Sequence, residues 1–214
     1  MSSLTLTIAF FALTGIGTAA AQDLKPVPLP EPQKTGGKPL MQAFAARHST
    51  REFDTKLLPL QELSNLLWAA DGVNRQENGK RTAPSAMNWQ ETDVYVLTAE
   101  GAYVYDAAAN LLKPVIKGDL RPLAGTQDFV STAPVNLVYV VDKTKMSRAG
   151  EEDRKLYGAA DVGFIAENVY LYCASEGLAA VVRGSVDRPK LAAALSLRPE
   201  QVIILAQTVG YPLK

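Results

Sequence analysis

The chain holds one cysteine and one histidine in 214 residues. Cys173 therefore has no partner for an intrachain disulfide. It sits in an apolar helical stretch and reads as a small buried hydrophobe rather than a reactive thiol. With His48 as the single imidazole, a zinc centre built from His and Cys ligands is excluded. A Ser-His-Asp triad would have to use a histidine beside Arg47 and close to Arg51, which argues against it. Charge of one sign is also lacking: 22 Lys and Arg face 22 Asp and Glu. No global field draws the chain to nucleic acid or to an anionic membrane. No internal repeat is visible, and at this length the chain builds one domain with a sizeable core.

The one long apolar run, residues 4–17, is too short to span a bilayer comfortably. No Lys or Arg precedes it, and Ala19-Ala20-Ala21-Gln22 follows as an A-x-A-like cleavage site. Residues 1–21 are expected to be a signal peptide cleaved after Ala21, with an uncleaved anchor helix as the alternative. A periplasmic or secreted protein with no stable membrane insertion follows. Residues 22–39 are Pro-rich, with Pro26, Pro28, Pro30 and Pro32 at alternate positions. They read as an extended arm, either a tether or a strap over a neighbouring subunit.

The fold proper is expected over residues 40–214. A short helix spans 40–47 and a second 60–71, where Leu60, Leu63, Leu66, Leu67 and Ala70 share one face and Gly72 is read as a left-handed cap. Residues 73–91 show little periodicity and are too long for an idle connection, so they form a candidate functional loop. Strands are expected at 93–98 and 102–105, a short strand and turn at 110–119, a short helix within 120–129, and a central strand at 134–142. The longest helical pattern, 151–176, carries apolar residues on two sides and an acidic first turn, with Gly177 as its cap. A strand at 178–183, a helix at 188–195 and a central strand at 201–209 complete an α+β, three-layer sandwich around a mixed sheet.

One stretch is dense in donors: Arg47-His48-Ser49-Thr50-Arg51-Glu52-Phe53 offers two guanidinium groups, an imidazole and two hydroxyls. Its natural counterpart is a dianion such as a phosphomonoester, because the arginine fork matches phosphate oxygens two at a time. Charge-assisted hydrogen bonds contribute roughly 1.5–3 kcal/mol each, so three or four anchor a ligand. A solvated basic patch accounts for the same residues equally well in isolation.

Together with Pro84-Ser85-Ala86-Met87-Asn88-Trp89-Gln90, the Glu176-Gly177 turn and the C-terminal Gly210-Tyr211-Pro212, this stretch resembles the FMN-dependent nitroreductase superfamily. The likeness runs from about Leu40 to Lys214. The LLWAADGVNR run with RTAPSA is similar to the branch containing thiazole- and oxazoline-forming dehydrogenases. The resemblance implies FMN as cofactor, a homodimer with the flavin at the subunit interface, a small conjugated substrate such as a nitroaromatic or quinone, and NAD(P)H as an electron donor. It assigns Arg47, His48, Ser49 and Arg51 to the FMN phosphate and ribityl chain. It assigns Pro84, Ser85, Ala86 and Asn88 to the isoalloxazine ring of the partner subunit's site. A backbone N–H of the Glu176-Gly177 turn is expected to face flavin N5. Arg183 is a further candidate, and Lys214 stands where relatives complete the phosphate site with basic residues.

The chain departs from the pattern in two places. Ala86 stands where a second Ser is common, and Gln90-Glu91-Thr92 where QPW is common. No side-chain acid–base pair is evident, as a cofactor that carries the hydride requires none. An exported location sits awkwardly with NAD(P)H, which is scarce outside the cytoplasm. A non-catalytic flavin carrier on the same fold is the alternative reading.

Overall fold

The computed structural model describes residues 24–213. The expected signal peptide and Lys214 lie outside the described residues. The elements in chain order are β1 (Val27–Pro28), α1 (Leu40–Ala46), α2 (Leu60–Asp71), β2 (Val73–Arg75), β3 (Lys80–Arg81), β4 (Thr92–Leu97), β5 (Gly101–Asp106), β6 (Leu111–Lys117), α3 (Phe129–Thr132), β7 (Val135–Asp142), α4 (Glu151–Glu176), β8 (Ala179–Arg183), α5 (Arg188–Ala194) and β9 (Gln201–Gly210). No described helix is long and apolar enough to cross a membrane.

Seven strands form one sheet in the order β1-β6-β5-β4-β7-β9-β8. Every pairing in it is antiparallel. The α+β sandwich expected from the sequence is therefore built on an antiparallel sheet, not a mixed one. The reason is where β9 sits. The chain leaves β7, crosses through α4 and lays down β8 one place further out. After α5, β9 then runs back through the gap between them. β7 and β8 point the same way but never touch.

Burial explains why β7 reads as a continuous apolar run: all eight of its residues are buried. Val135, Leu137, Tyr139 and Val141 face a core shared with α2 and α4. Val138 and Val140 face a smaller core with Leu191 and Leu195 of the α5 region. A strand covered on both faces loses the polar–apolar alternation of a half-exposed one. Polar side chains also tie the sheet to α4. Tyr139 donates to Gln207 Oε1 at 2.5 Å, and Gln207 Nε2 donates to the Ala166 carbonyl of α4 at 3.2 Å.

Three local expectations change. Over its described part the Pro-rich arm packs on its own chain. It adds β1 to the edge of its own sheet, buries Leu29 and accepts Ser64 Oγ–H at the Pro30 carbonyl, 2.5 Å. Residues 73–91 are not a structureless loop, because β2 and β3 form a hairpin within them. Gly72 is not left-handed: its φ is −75° and its ψ 159°. Glycine is required there by proximity, since a Cβ would lie 2.6 Å from Trp68 Cα. Gly72→Ala is expected to cost about 1–3 kcal/mol through that clash, lowering Tm by roughly 2–10 °C. Differential scanning calorimetry checks it.

Candidate functional site

The Arg47–Arg51 segment leaves α1 in extended conformation and is fastened to β8: Thr50 N–H donates to the Ala180 carbonyl at 2.9 Å. Its side chains gather around Tyr170 of α4. The Tyr170 hydroxyl is 2.9 Å from Ser49 Oγ and accepts the Val182 N–H at 2.7 Å. The Arg47 guanidinium lies 5.3 Å from the Tyr170 ring centroid, a cation–π distance. His48 Nδ1 is 2.7 Å from the Ala46 carbonyl, so this nitrogen carries the proton and Nε2 remains for a ligand. Arg51 is exposed, without an ion pair or hydrogen bond among the described residues.

His48, Thr50 and Tyr170 line a cleft of about 150 Å³ together with Cys173, Gly177 and Lys38. None of the residues lining it is acidic, in a chain with equal numbers of acids and bases. Gly177 takes the left-handed conformation expected of it, φ 73°, and caps α4 by donating to the Cys173 carbonyl. Leu178 N–H donates to the same carbonyl at 2.8 Å. A donor to flavin N5 from this turn therefore has to be shared with Cys173. Burial pushes the Cys173 thiol well above its ordinary range, so it is an inert wall residue. Glu176 is exposed and accepts from Ser175 Oγ at 2.9 Å.

Nothing in residue type or spacing marks Lys38 as part of this site. Its backbone N–H donates to Ser175 Oγ at 2.7 Å and its Nζ donates to the Ala174 carbonyl at 3.1 Å. The lysine thus sits at the negative end of the α4 dipole, where an anion alone would be repelled. It also lines a neighbouring groove of about 660 Å³ that includes Asn65, Trp68, Tyr172 and Glu176. In the sequence it is simply the basic residue closing the arm. Tyr170 was likewise invisible, being one aromatic among several on a buried helix.

Pro84, Ser85, Ala86 and Asn88 lie elsewhere. Their loop docks on α4 through the Ala86 N–H, which donates to Asp161 Oδ2 at 2.8 Å. Asp161 and Tyr170 are nine residues apart on α4, about 14 Å of helix. One chain thus does not bring the two motifs together. The loop is bent: Met87, Asn88 and Gln90 have φ of 52°, 55° and 48°. A left-handed non-glycine residue costs roughly 1–2 kcal/mol, and such geometry persists only where the surroundings impose it. Gln90 is a strut, accepting Arg81 Nε at 3.1 Å and donating to the Gly79 carbonyl at 3.0 Å.

Beneath the loop lies a buried acidic group, Asp71, Glu91 and Asp161. Asp71 is bridged to Arg81, yet burial pushes its carboxyl from 3.8 up to about 7, against the pull of that arginine. The fold thus keeps a proton that the unfolded chain gives up near pH 4. Stability should fall as pH rises between about 4 and 7, by up to a few kcal/mol, and level off above. Asp71→Asn should flatten that segment of a denaturation-midpoint profile against pH.

Arg183 faces away from the cleft. It is 7 % exposed, donates to Asn136 Oδ1 at 2.6 Å and lies 5.9 Å from the Phe129 ring centroid. Nε and Nη1 have no partner among the described residues, and burial lowers its pKa to about 10. Within one chain it neither touches the cleft nor shares a lining with the other candidates.

Both faces of α4 are apolar, but only one is covered. Val162, Ile165, Val169 and Cys173 are buried, while Leu156, Tyr157 and Phe164 are exposed. Leu40, Met41 and Phe44 of α1 are exposed too.

The fold recurs in solved structures, and the sequence has known relatives. A protein of Methanocaldococcus jannaschii, MJ1384, provisionally named a nitroreductase, is 29 % identical over 169 residues, 74 % of this chain and 85 % of its own. The crystal structure of a provisionally named nitroreductase from Ralstonia eutropha JMP134 superimposes with a TM-score of 0.85 at 46 % identity, covering 93 % of each chain. A Desulfovibrio desulfuricans protein, provisionally named a nitroreductase and solved in complex with FMN, shares the fold with a TM-score of 0.61 at 20 % identity, over 84 % of this chain and 89 % of its own. Residues 44–211 match the Nitroreductase family as a sequence family, from the helix ahead of the arginine-rich stretch to the strand end beside it, and the chain belongs to that family.

Proposed function

We propose that this nitroreductase-family oxidoreductase binds FMN at the interface of a homodimer and works on a small conjugated substrate such as a nitroaromatic or quinone. The observation that carries the reading is the acid-free cleft of Lys38, His48, Thr50 and Gly177, with Arg47 and Arg51 on the segment that forms its rim. Its donors suit a phosphomonoester. At about 150 Å³ the cleft alone is small against the roughly 300–1,000 Å³ of ligand sites. The groove of about 660 Å³ shares Lys38 with it and supplies the room for a ring system. When bound, FMN supplies the redox chemistry, taking electrons from a donor and passing them to a second molecule in alternation.

The chain's own residues bind and orient. Arg51 and Lys38 neutralise phosphate, and His48 lines the same cleft. Tyr170 locks Ser49 in place. Pro84–Asn88 covers the ring of the partner's site, which explains why one chain holds the two motifs apart. The exposed apolar residues of α1 and α4 are the surface that a second copy covers. We further place the mature protein outside the cytoplasm, from the apolar run 4–17 and the Ala19–Ala21 cleavage pattern.

The absorption spectrum of the purified protein tests the reading. A yellow protein with flavin bands, bleached anaerobically by NADH or NADPH and recoloured by a nitroaromatic or quinone, is expected. A protein that stays colourless after FMN is added refutes it. N-terminal sequencing of the exported form should begin at Gln22.

A further inference from the structure

We propose that Glu91 and Asp161 act as one proton-sharing carboxylate pair that holds the Pro84–Gln90 loop in the bent shape it presents to a neighbouring flavin site. The consequence for flavin rests on the function proposed above; the pair itself does not. Glu91 is fully buried. Its Oε2 accepts Ser85 Oγ–H at 3.1 Å, and Ser85 Oγ in turn accepts the Gln90 N–H at 2.8 Å. Asp161, 4 % exposed, accepts the Ala86 N–H at 2.8 Å. The two carboxylates thus clamp both ends of the segment in which Met87, Asn88 and Gln90 are left-handed.

Glu91 Oε1 is buried without a hydrogen-bond partner among the described residues, and Glu91 and Asp161 line the same small cavity. Two buried carboxylates side by side cannot both ionise cheaply. A proton on Oε1 resolves both problems, because it turns the orphan acceptor into a donor toward Asp161 and leaves one charge on the pair. Burial above all, with the Asp161 charge, raises Glu91 against the pull of a backbone hydrogen bond.

The surrounding charges do not supply an alternative counter-ion. Asp71 of α2 supplies no positive charge, and Arg81 of β3 is bridged to it. Lys145 binds Asp93 Oδ1 at 2.8 Å and the Gln90 carbonyl at 3.2 Å. Asp142 of β7 offers Glu91 only its backbone N–H, at 2.9 Å, its carboxylate being held by Thr144 and Arg198. Asp161 and Glu91 are therefore positioning residues: they set the loop that would reach the flavin and touch no cofactor themselves.

Amide hydrogen exchange at Ala86 and Gln90, read by NMR on the full-length protein between about pH 5 and 8.5 and corrected for intrinsic rates, tests this. Protection in the wild type should fall about tenfold or more as the shared proton leaves. Glu91→Gln, a neutral isostere of the protonated acid, should stay protected throughout. The wild type and both variants are compared in an Asp71→Asn background, which removes that group's own step. Asp161→Asn keeps an acceptor for Ala86 and removes one charge; it should move the midpoint down by about one pH unit or more. A flat wild-type profile, a step that survives in Glu91→Gln, or an unmoved midpoint in Asp161→Asn overturns the pair. A protein that binds no FMN would sink the proposed function while the exchange profile still decides the pair.

Discussion

Arg51→Ala is expected to release FMN from a chain that stays folded. Arg51 is exposed and makes no ion pair or hydrogen bond among the described residues, so its loss removes nothing the fold uses. For a bound phosphate the position is different. A charge-assisted hydrogen bond contributes roughly 1.5–3 kcal/mol, and the arginine fork can make two at once. Flavin affinity should drop by about ten- to several-hundred-fold per arginine. Arg47→Ala should match that loss and also cost about 0.5–2 kcal/mol of stability through the Tyr170 stacking. Flavin-to-protein absorbance after gel filtration reads occupancy, and thermal melts read the fold. Full occupancy in both variants removes the phosphate assignment.

Phe164→Arg should convert the protein to a monomer and empty the flavin site in the same step. Phe164 is 48 % exposed on the outer side of α4, so an arginine there is tolerated by the single chain. In a homodimer that side is covered, and an unpaired charge buried in an apolar contact costs roughly 3–5 kcal/mol. Symmetry places the substitution in both copies. Dimer affinity should weaken by at least two to three orders of magnitude. Because Pro84–Asn88 and Arg47–Arg51 are anchored about 14 Å apart on α4, a monomer cannot complete one site from its own residues. Light scattering coupled to gel filtration gives the mass, and the eluted peak's flavin absorbance gives occupancy. A monomer that keeps its flavin overturns the shared site; a dimer of unchanged mass overturns the interface.

Much of the architecture was legible because helices and buried strands write local periodicity. α2, α4 and β8 begin and end within a residue of the expected limits, and β7 and β9 are internal strands as their apolar runs implied. Gly177 is the left-handed cap its position suggested. The errors share one cause. Whether the sheet is mixed depends on where β9 inserts. Whether Gly72 is needed for its φ or for room depends on Trp68. Whether the proline arm straps a neighbour or its own sheet edge depends on Asn110 and Ser64. Each is decided by a contact between distant residues, which no local pattern records.

The same division runs through the site. From residue types and spacing alone came the donor-dense Arg47–Arg51 stretch, the Pro84–Asn88 segment, the Glu176-Gly177 turn and the family they point to. Only the folded chain brings Lys38 and Tyr170 to the first of these. It sends Arg183 to the opposite face of the sheet and sets the two motifs apart on α4. The carboxylates beneath the loop show the limit most clearly. Glu91 and Asp161 are 70 positions apart in the chain, and each alone is an unremarkable acid. Their chemistry arises because burial strips water from both at once, and desolvation belongs to a place in the structure, not to a residue in a string.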